Sequence, residues 1–261
     1  MLRGLWTAAS GMVAQQMSID VCANNLANAN TVGFKKSRNN FQDLMYQTIQ
    51  MPGATTSSGG QVPIGIQCGM GARPASVQKI YTQGDYSETG NELDLAIEGK
   101  GFFKVLSGDE ELYTRAGNFT IDSEGFVSTA AGERLQPEIS VPEETTLISV
   151  QADGTLTAFG GSDAAELTSA ELTLYSFMNP GGLYAVGRNL LRVTEASGEA
   201  VEGTPGSDGF GTVSNMFLEL SNVNIVEEMV AMIVGQRAYE ATSKALQTAD
   251  NMLQMANNIK R

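Results

Sequence analysis

The sequence predicts an α+β chain: long N- and C-terminal helices forming a coiled coil, with a central antiparallel β domain inserted between them. Three observations carry this. Apolar residues at both ends recur alternately every three and four positions, the spacing of a heptad seam. From about Arg73 to Val213 the period changes to two, with glycine-rich turns between short apolar runs. Glycine- and proline-rich stretches separate these two patterns on either side. The expected domains are residues 1–33 with 222–261 (helical), 34–72 with 203–221 (connecting) and 73–202 (β).

The N-terminal seam runs through Leu2, Leu5, Ala9, Met12, Gln16, Ile19, Ala23 and Leu26. Trp6, Val13 and Met17 add apolar surface beside it. Gly33 is placed to stop this helix, followed by the basic Lys35, Lys36 and Arg38. Residues 34–50 carry Phe41, Leu44, Met45, Tyr46 and Ile49, enough for a short amphipathic continuation. A break follows, from Pro52 and Gly53 through Gly59, Gly60 and Pro63 to Gly65, Gly69 and Gly71. Taken alone, such a stretch is a flexible tether that buries too little apolar area to fold. If it is ordered, something outside it must hold it.

In the centre, Leu93, Leu95 and Ile97 alternate with Asp94, Ala96 and Glu98. Phe103 with Val105, Phe119 with Ile121, and Leu172 with Leu174 repeat the pattern. Turn signals fall between them at residues 99–101, 107–109, 123–125, 153–154 and 179–182. Short strands joined by such turns make an antiparallel sandwich or barrel-like unit. A second glycine-rich stretch, Gly203 to Gly211, leads back to the last helix.

That helix opens on a capping box, Asn224 with Glu227, and keeps Glu228 in its positive first turn. Lys260 and Arg261 suit its negative end. Its seam is Ala231, Val234, Ala238, Ala241, Ala245, Thr248, Met252, Met255 and Ile259. A second stripe, Ile225, Met229, Met232, Tyr239, Leu246 and Leu253, lies on another side. A surface helix with one partner needs one stripe. This helix calls for neighbours on several faces.

Composition narrows the function. The 261 residues hold 16 Lys plus Arg against 29 Asp plus Glu, a formal charge of −13, which disfavours nucleic acid and anionic membranes as partners. Neither a secretory apolar block nor a run near the ~18 residues of a membrane helix is found. Cys22 and Cys68 are too few for a disulfide framework or a zinc site and read as unpaired thiols. With no histidine, Ser-His-Asp and Cys-His catalysis and histidine metal sites are absent. Gly99-Lys100 lacks the upstream glycine and following Ser or Thr of a phosphate loop. Adjacent acids such as Glu110-Glu111 and Glu143-Glu144 point to opposite faces of a strand and read as solvated surface. The expectation is a protein without catalytic residues, cofactor, metal or small-molecule substrate.

Several motifs resemble a known family. Ser10-Gly11-Met12 with Gln15-Gln16, Asn24-Asn25-Leu26-Ala27-Asn28-Ala29-Asn30-Thr31 and Gly33-Phe34-Lys35 resemble the N-terminal signature of the bacterial flagellar basal-body rod/hook axial proteins. Ser221-Asn222-Val223-Asn224, Glu227-Glu228-Met229-Val230 and Gln236-Arg237-Ala238-Tyr239-Glu240 resemble the C-terminal one. Gly99-Lys100-Gly101-Phe102-Phe103 and Tyr113 to Phe119 resemble the family's β-domain core. Within the family, Phe41 to Ile49 followed by Pro52-Gly53-Ala54 is similar to the distal-rod branch; hook proteins and proximal rod members lack this insert. Cys22, Cys68 and Val32 depart from the usual pattern.

The resemblance implies a structural subunit of a hollow helical filament, exported uncleaved by the flagellar type III apparatus to the periplasm-spanning rod of the basal body. The terminal helices would build the inner tube and the β domain would lie further out. The implied partners are other copies of the chain, the proximal rod proteins, the hook protein and the surrounding ring. The rod-specific stretch 46–63, anchored by Tyr46, Ile49 and Met51 and containing Pro52, Gly53 and Pro63, would become ordered between subunits. The alternatives are a proximal rod subunit of the same family and, from another class, a soluble β-domain binding protein with a self-contained helical hairpin.

Overall fold

A computed structural model describes residues 2–53, 63–160, 165–207 and 209–259. Residues 54–62 of the rod-specific stretch, Lys260 and Arg261, and the side chains of Leu2 and Ile259 lie outside the described residues. The chain divides into two compact units. One comprises Met1–Ala27, Ser37–Gln78 and Asn224–Arg261, the other Asn28–Lys36 and Lys79–Val223.

In the first unit, α1 spans Leu2–Ala27 and α2 spans Ile225–Ile259. At 1.5 Å per residue they are roughly 39 and 53 Å long. Asn224 caps α2, its Oδ1 accepting the N–H groups of Val226 at 3.1 Å and Glu227 at 3.4 Å. The helices run antiparallel: Gly11 lies opposite Thr242, Ile19 opposite Gly235, and Asn25 opposite Glu228. At Gly235 the approach is close, since a Cβ there would lie 3.1 Å from Ile19 Cγ1.

Two expectations are corrected here. The first helix ends at Ala27, six residues before Gly33. The amphipathic continuation is not helical: Ser37–Asp43 and Tyr46–Gln50 are strands. The start of the first strand is held by Asn25, which is buried in α1. Its Nδ2 donates to the Ser37 carbonyl and its Oδ1 accepts the Ser37 N–H, both at 2.9 Å. An amide side chain so placed mimics a strand neighbour and holds the backbone extended. Ser37–Asp43 pairs with Ala72–Lys79, and Tyr46–Gln50 pairs antiparallel with Ile66–Gly69. Part of the glycine-rich break is therefore strand. Gly69 faces Tyr46, whose ring would be 3.3 Å from a Cβ at that position.

The second unit is all β apart from a short 3₁₀ turn among the described residues. A seven-stranded antiparallel sheet runs in the order Tyr184–Gly187, Leu190–Arg192, Glu110–Thr114, Phe103–Ser107, Arg134–Gln136, Val127–Thr129, Phe119–Ile121. A three-stranded sheet, Thr145–Val150, Thr155–Gly160 and Ala165–Glu171, and several strand pairs complete the unit. Adjacent residues of a strand serve different cores, as the period of two requires. Phe103 packs edge-on against Phe119 at 5.2 Å in the larger core, which also holds Leu95, Leu135 and Leu156. Within Glu110–Thr114, Leu112 faces that core, while its neighbour Tyr113 joins an aromatic cluster with Phe102, Tyr175 and Phe177. Asp94 and Ala96, placed by alternation on an outward face, are buried too. The Asp94 carboxylate accepts from Thr89 Oγ1 at 2.7 Å and Asn91 Nδ2 at 3.0 Å. Leu172 and Leu174 are both buried but do not share a strand: one strand ends at Glu171, Leu172 lies in the break, and Leu174 opens the next.

Candidate assembly surface

Inside the helical unit, α1 covers one face of α2, formed by Glu228, Met232, Gly235, Thr242, Leu246, Ala249 and Leu253. That face coincides with part of the second stripe. Of the seam expected on α2, only Ala238 among its described side chains is half-buried; Ala231, Val234, Ala241, Ala245, Thr248, Met252 and Met255 are exposed. On α1, Leu5, Ala9, Met12, Ile19 and Leu26 are partly covered, whereas Gln16 and Ala23 face outward. The rod-specific Tyr46, Ile49, Met51, Pro52, Gly53 and Pro63 are exposed as well. In the terminal motifs Asn25 and Gly33 are buried, Leu26, Asn28, Phe34 and Ala238 intermediate, and Asn24, Ala27, Gln236, Arg237 and Tyr239 exposed. Asn25 also donates to Glu228 Oε2 at 3.2 Å, joining the two helices at one point. Cys22 and Cys68 are free, and burial followed by Glu228 pushes the Cys22 thiol up. No group of three His, Cys, Asp or Glu among the described residues is arranged to hold a metal ion. No described helix is long and apolar enough to cross a membrane.

The β unit contains a feature that periodicity did not reveal. Glu219 is 1% exposed and lies between two cations. Its Oε1 accepts from Lys35 Nζ at 2.5 Å and from the Gly84 N–H at 3.0 Å; its Oε2 accepts from Arg115 Nε at 2.6 Å. Burial alone would raise this carboxyl's pKa. The Arg115 charge, the Gly84 N–H and Lys35 outweigh it and hold the group below the usual carboxylate range. Burial draws the Lys35 ammonium down even beside Glu219. Arg115 further donates to the carbonyls of Gly101 at 2.5 Å, Gly99 at 2.7 Å and Ile97 at 2.8 Å. The positive-φ glycines 99 and 101 thus shape a loop around its guanidinium.

Neighbouring groups tighten the same corner. Gly33 has φ +68° and donates its N–H to the Glu219 carbonyl at 2.8 Å. A Cβ on Gly33 would meet Ala116 N at 2.6 Å, so the glycine fits the β unit rather than ending α1. Asn222 accepts the Lys36 N–H at 2.7 Å and donates to Ile80 O at 2.9 Å. The segments after α1 and before α2 are therefore pinned beside each other on the β unit. A lone acid in the run Phe217-Leu218-Glu219-Leu220 was the signal for this network, because a charge among apolar strand residues needs a partner.

Three parts of the chain match known families. Residues 5–35 match flagella basal body rod protein, 96–158 the flagellar hook protein FlgE/F/G D1 domain, and 215–259 the flagellar basal body rod FlgEFG protein C-terminal region. The chain is 46% identical over 264 residues to the flagellar basal-body rod protein FlgG of Borreliella burgdorferi, with 100% of each chain covered. The chain belongs to the flagellar basal-body rod protein family. FlgG of Caulobacter vibrioides is 44% identical over 261 residues, covering 99% of this chain and 100% of that one. The hook protein FlgE of Borreliella burgdorferi is 43% identical over 138 residues, 52% of this chain and 31% of that one. As a structural subunit of the rod, the protein works through surfaces. Each matched segment supplies one member of the buried ion network: Lys35, Arg115 and Glu219.

Proposed function

We propose that this rod protein is the distal-rod subunit, polymerising through a coiled coil of terminal helices into a rigid hollow tube. The tube transmits torque from motor to hook and forms part of the export channel. In this reading residues 1–33 and 222–261 build the wall, 73–202 lie outside it, and 34–72 with 203–221 connect them. The observation that carries it is the apolar surface left open on the helical unit. On α1, Trp6, Val13 and Met17 are exposed; on α2, Ile225, Val226, Met229, Val230, Ile233, Val234, Tyr239, Met252 and Met255. Fully burying one such side chain is worth about 1.5–3 kcal/mol, so many copies packed together gain what one copy cannot. A self-contained hairpin would not leave this surface open. The expected seam residues, exposed in one subunit, are then the contacts between subunits.

The proximal rod lies below in this reading, the hook above and the ring proteins around it, all reached after type III export across to the basal body. The stretch 46–63 sets the stiffness by locking neighbouring copies. Electron microscopy of concentrated purified protein tests both parts. Straight tubes are expected from the parent, and more strongly curved ones after deletion of 46–63. Dispersed monomers at all concentrations would overturn polymerisation; equal curvature would reduce 46–63 to a linker.

A further inference from the structure

Two features of the helical unit fit each other without touching. At the end formed by the start of α1 and the later turns of α2, Leu5, Trp6, Ala9 and Leu246 line an apolar groove of about 460 Å³, bordered by Gln247 and Asp250. Trp6 stands 73% exposed on its rim. Toward the other end, Val226, Val230 and Ile233 are 69%, 54% and 55% exposed. Their spacing of four and three makes one ridge on the face of α2 turned away from α1. The next position on that ridge is Arg237, whose side chain is 80% exposed and pairs with Glu240 at 3.6 Å.

We propose that copies dock head to tail, the Val226–Val230–Ile233 ridge of one copy filling the Trp6–Leu246 groove of the next. Arg237 then meets Asp250 and the Trp6 ring. This rests on the reading of the chain as a polymer subunit and names the contact that propagates it. Charge supports the pairing. In a chain of net charge −13, Arg237 ends the apolar ridge and Asp250 edges the groove; their present partners, Glu240 at 3.6 Å and Gln254 at 3.0 Å, are solvent-exposed neighbours one turn along the same helix, so either can be shared or exchanged on docking. Arg237 also gains a cation–π partner in Trp6. Ridge and groove are different surfaces, and their centres lie about 25 Å apart along α2 at 1.5 Å per residue. A heterologous contact of this kind repeats from copy to copy and grows an open helical array instead of a closed dimer.

The test uses the full chain in isolated basal bodies. With Trp6→p-benzoylphenylalanine, illumination should link position 6 to residues 226–237 of another copy, read by mass spectrometry of the cross-linked peptides. Separately, R237D and D250R should each lower the yield of rods by about tenfold, and the R237D/D250R double variant should restore it to within about twofold. Both positions are exposed, so the isolated chain should keep its helicity in every variant. Cross-links to other segments, or no rescue by the double reversal, overturn the docking while rods that still form leave the polymer reading standing. A parent chain found only as monomer overturns both.

Discussion

Glu219→Gln preserves the shape of a buried side chain and removes the charge that answers both Lys35 and Arg115. In the native β unit the carboxylate accepts from Lys35 at 2.5 Å, Arg115 at 2.6 Å and the Gly84 N–H at 3.0 Å. The amide can accept at one end only, so two cations remain buried without a counter-charge. Removing one partner of such a network costs about 3–5 kcal/mol. A unit of this size loses about 2–4 °C of Tm per kcal/mol, so the expected drop is about 6–20 °C. Arg115→Met should cost more than Lys35→Met. It also strands the Ile97, Gly99 and Gly101 carbonyls, whereas Lys35 serves one carbonyl, that of Thr82. The assay is thermal unfolding followed by near-ultraviolet circular dichroism. The pH dependence supplies a second readout. The Glu219 pKa is lowered by folding, so the unfolded chain binds more protons. Its stabilisation is complete above the ordinary glutamate value of about 4.3 and is lost as pH falls through the folded value. Glu219→Gln should flatten that acid slope. Melting within about 2 °C of the parent, together with an unchanged slope, would refute the reasoning.

Other substitutions separate the remaining claims. Gly33→Ala, at φ +68° with Ala116 N 2.6 Å from the new methyl, should cost at least about 2 kcal/mol in chemical denaturation. Gly4→Ala, with nothing within 4 Å, should instead stabilise α1 by roughly 0.5–1 kcal/mol. Equal effects would show that Gly33 is under no steric demand. Asn25→Leu removes both hydrogen bonds to the Ser37 backbone and should cost about 1–3 kcal/mol for each group left unpaired. Hydrogen exchange at the Ser37 amide should speed up; full protection would mean another group holds it. Ala241→Asp or Ala245→Asp lies on the exposed seam and should cost the monomer only about 0.7 kcal/mol of helix propensity while abolishing rods. Rods of parental length from either variant would show that this face is solvated.

The sequence by itself determined the nesting of a β-rich centre between two long helices. It did so because hydrophobic period is a local property: three-and-four spacing commits a segment to a helix, and alternation with glycine turns commits it to strands. It also showed that α2 carries more apolar surface than one partner can cover, which is a count over one helix. What it could not determine depends on residues far apart in the chain. Phe41 to Ile49 has the apolar content of a helix, yet it is extended: Asn25 holds the entry at Ser37, and the strands Ala72–Lys79 and Ile66–Gly69 pair with its two halves. Gly33 has the placement of a helix stop, yet its conformation answers the backbone of Ala116. The stripe of α2 that faces α1 is the one carrying Gly235, opposite Ile19, and not the longer seam of small apolar residues. The network of Lys35, Arg115 and Glu219 joins residues up to 184 positions apart. A buried charge is tolerable only where folding delivers its partners, and that delivery is a property of the tertiary structure alone.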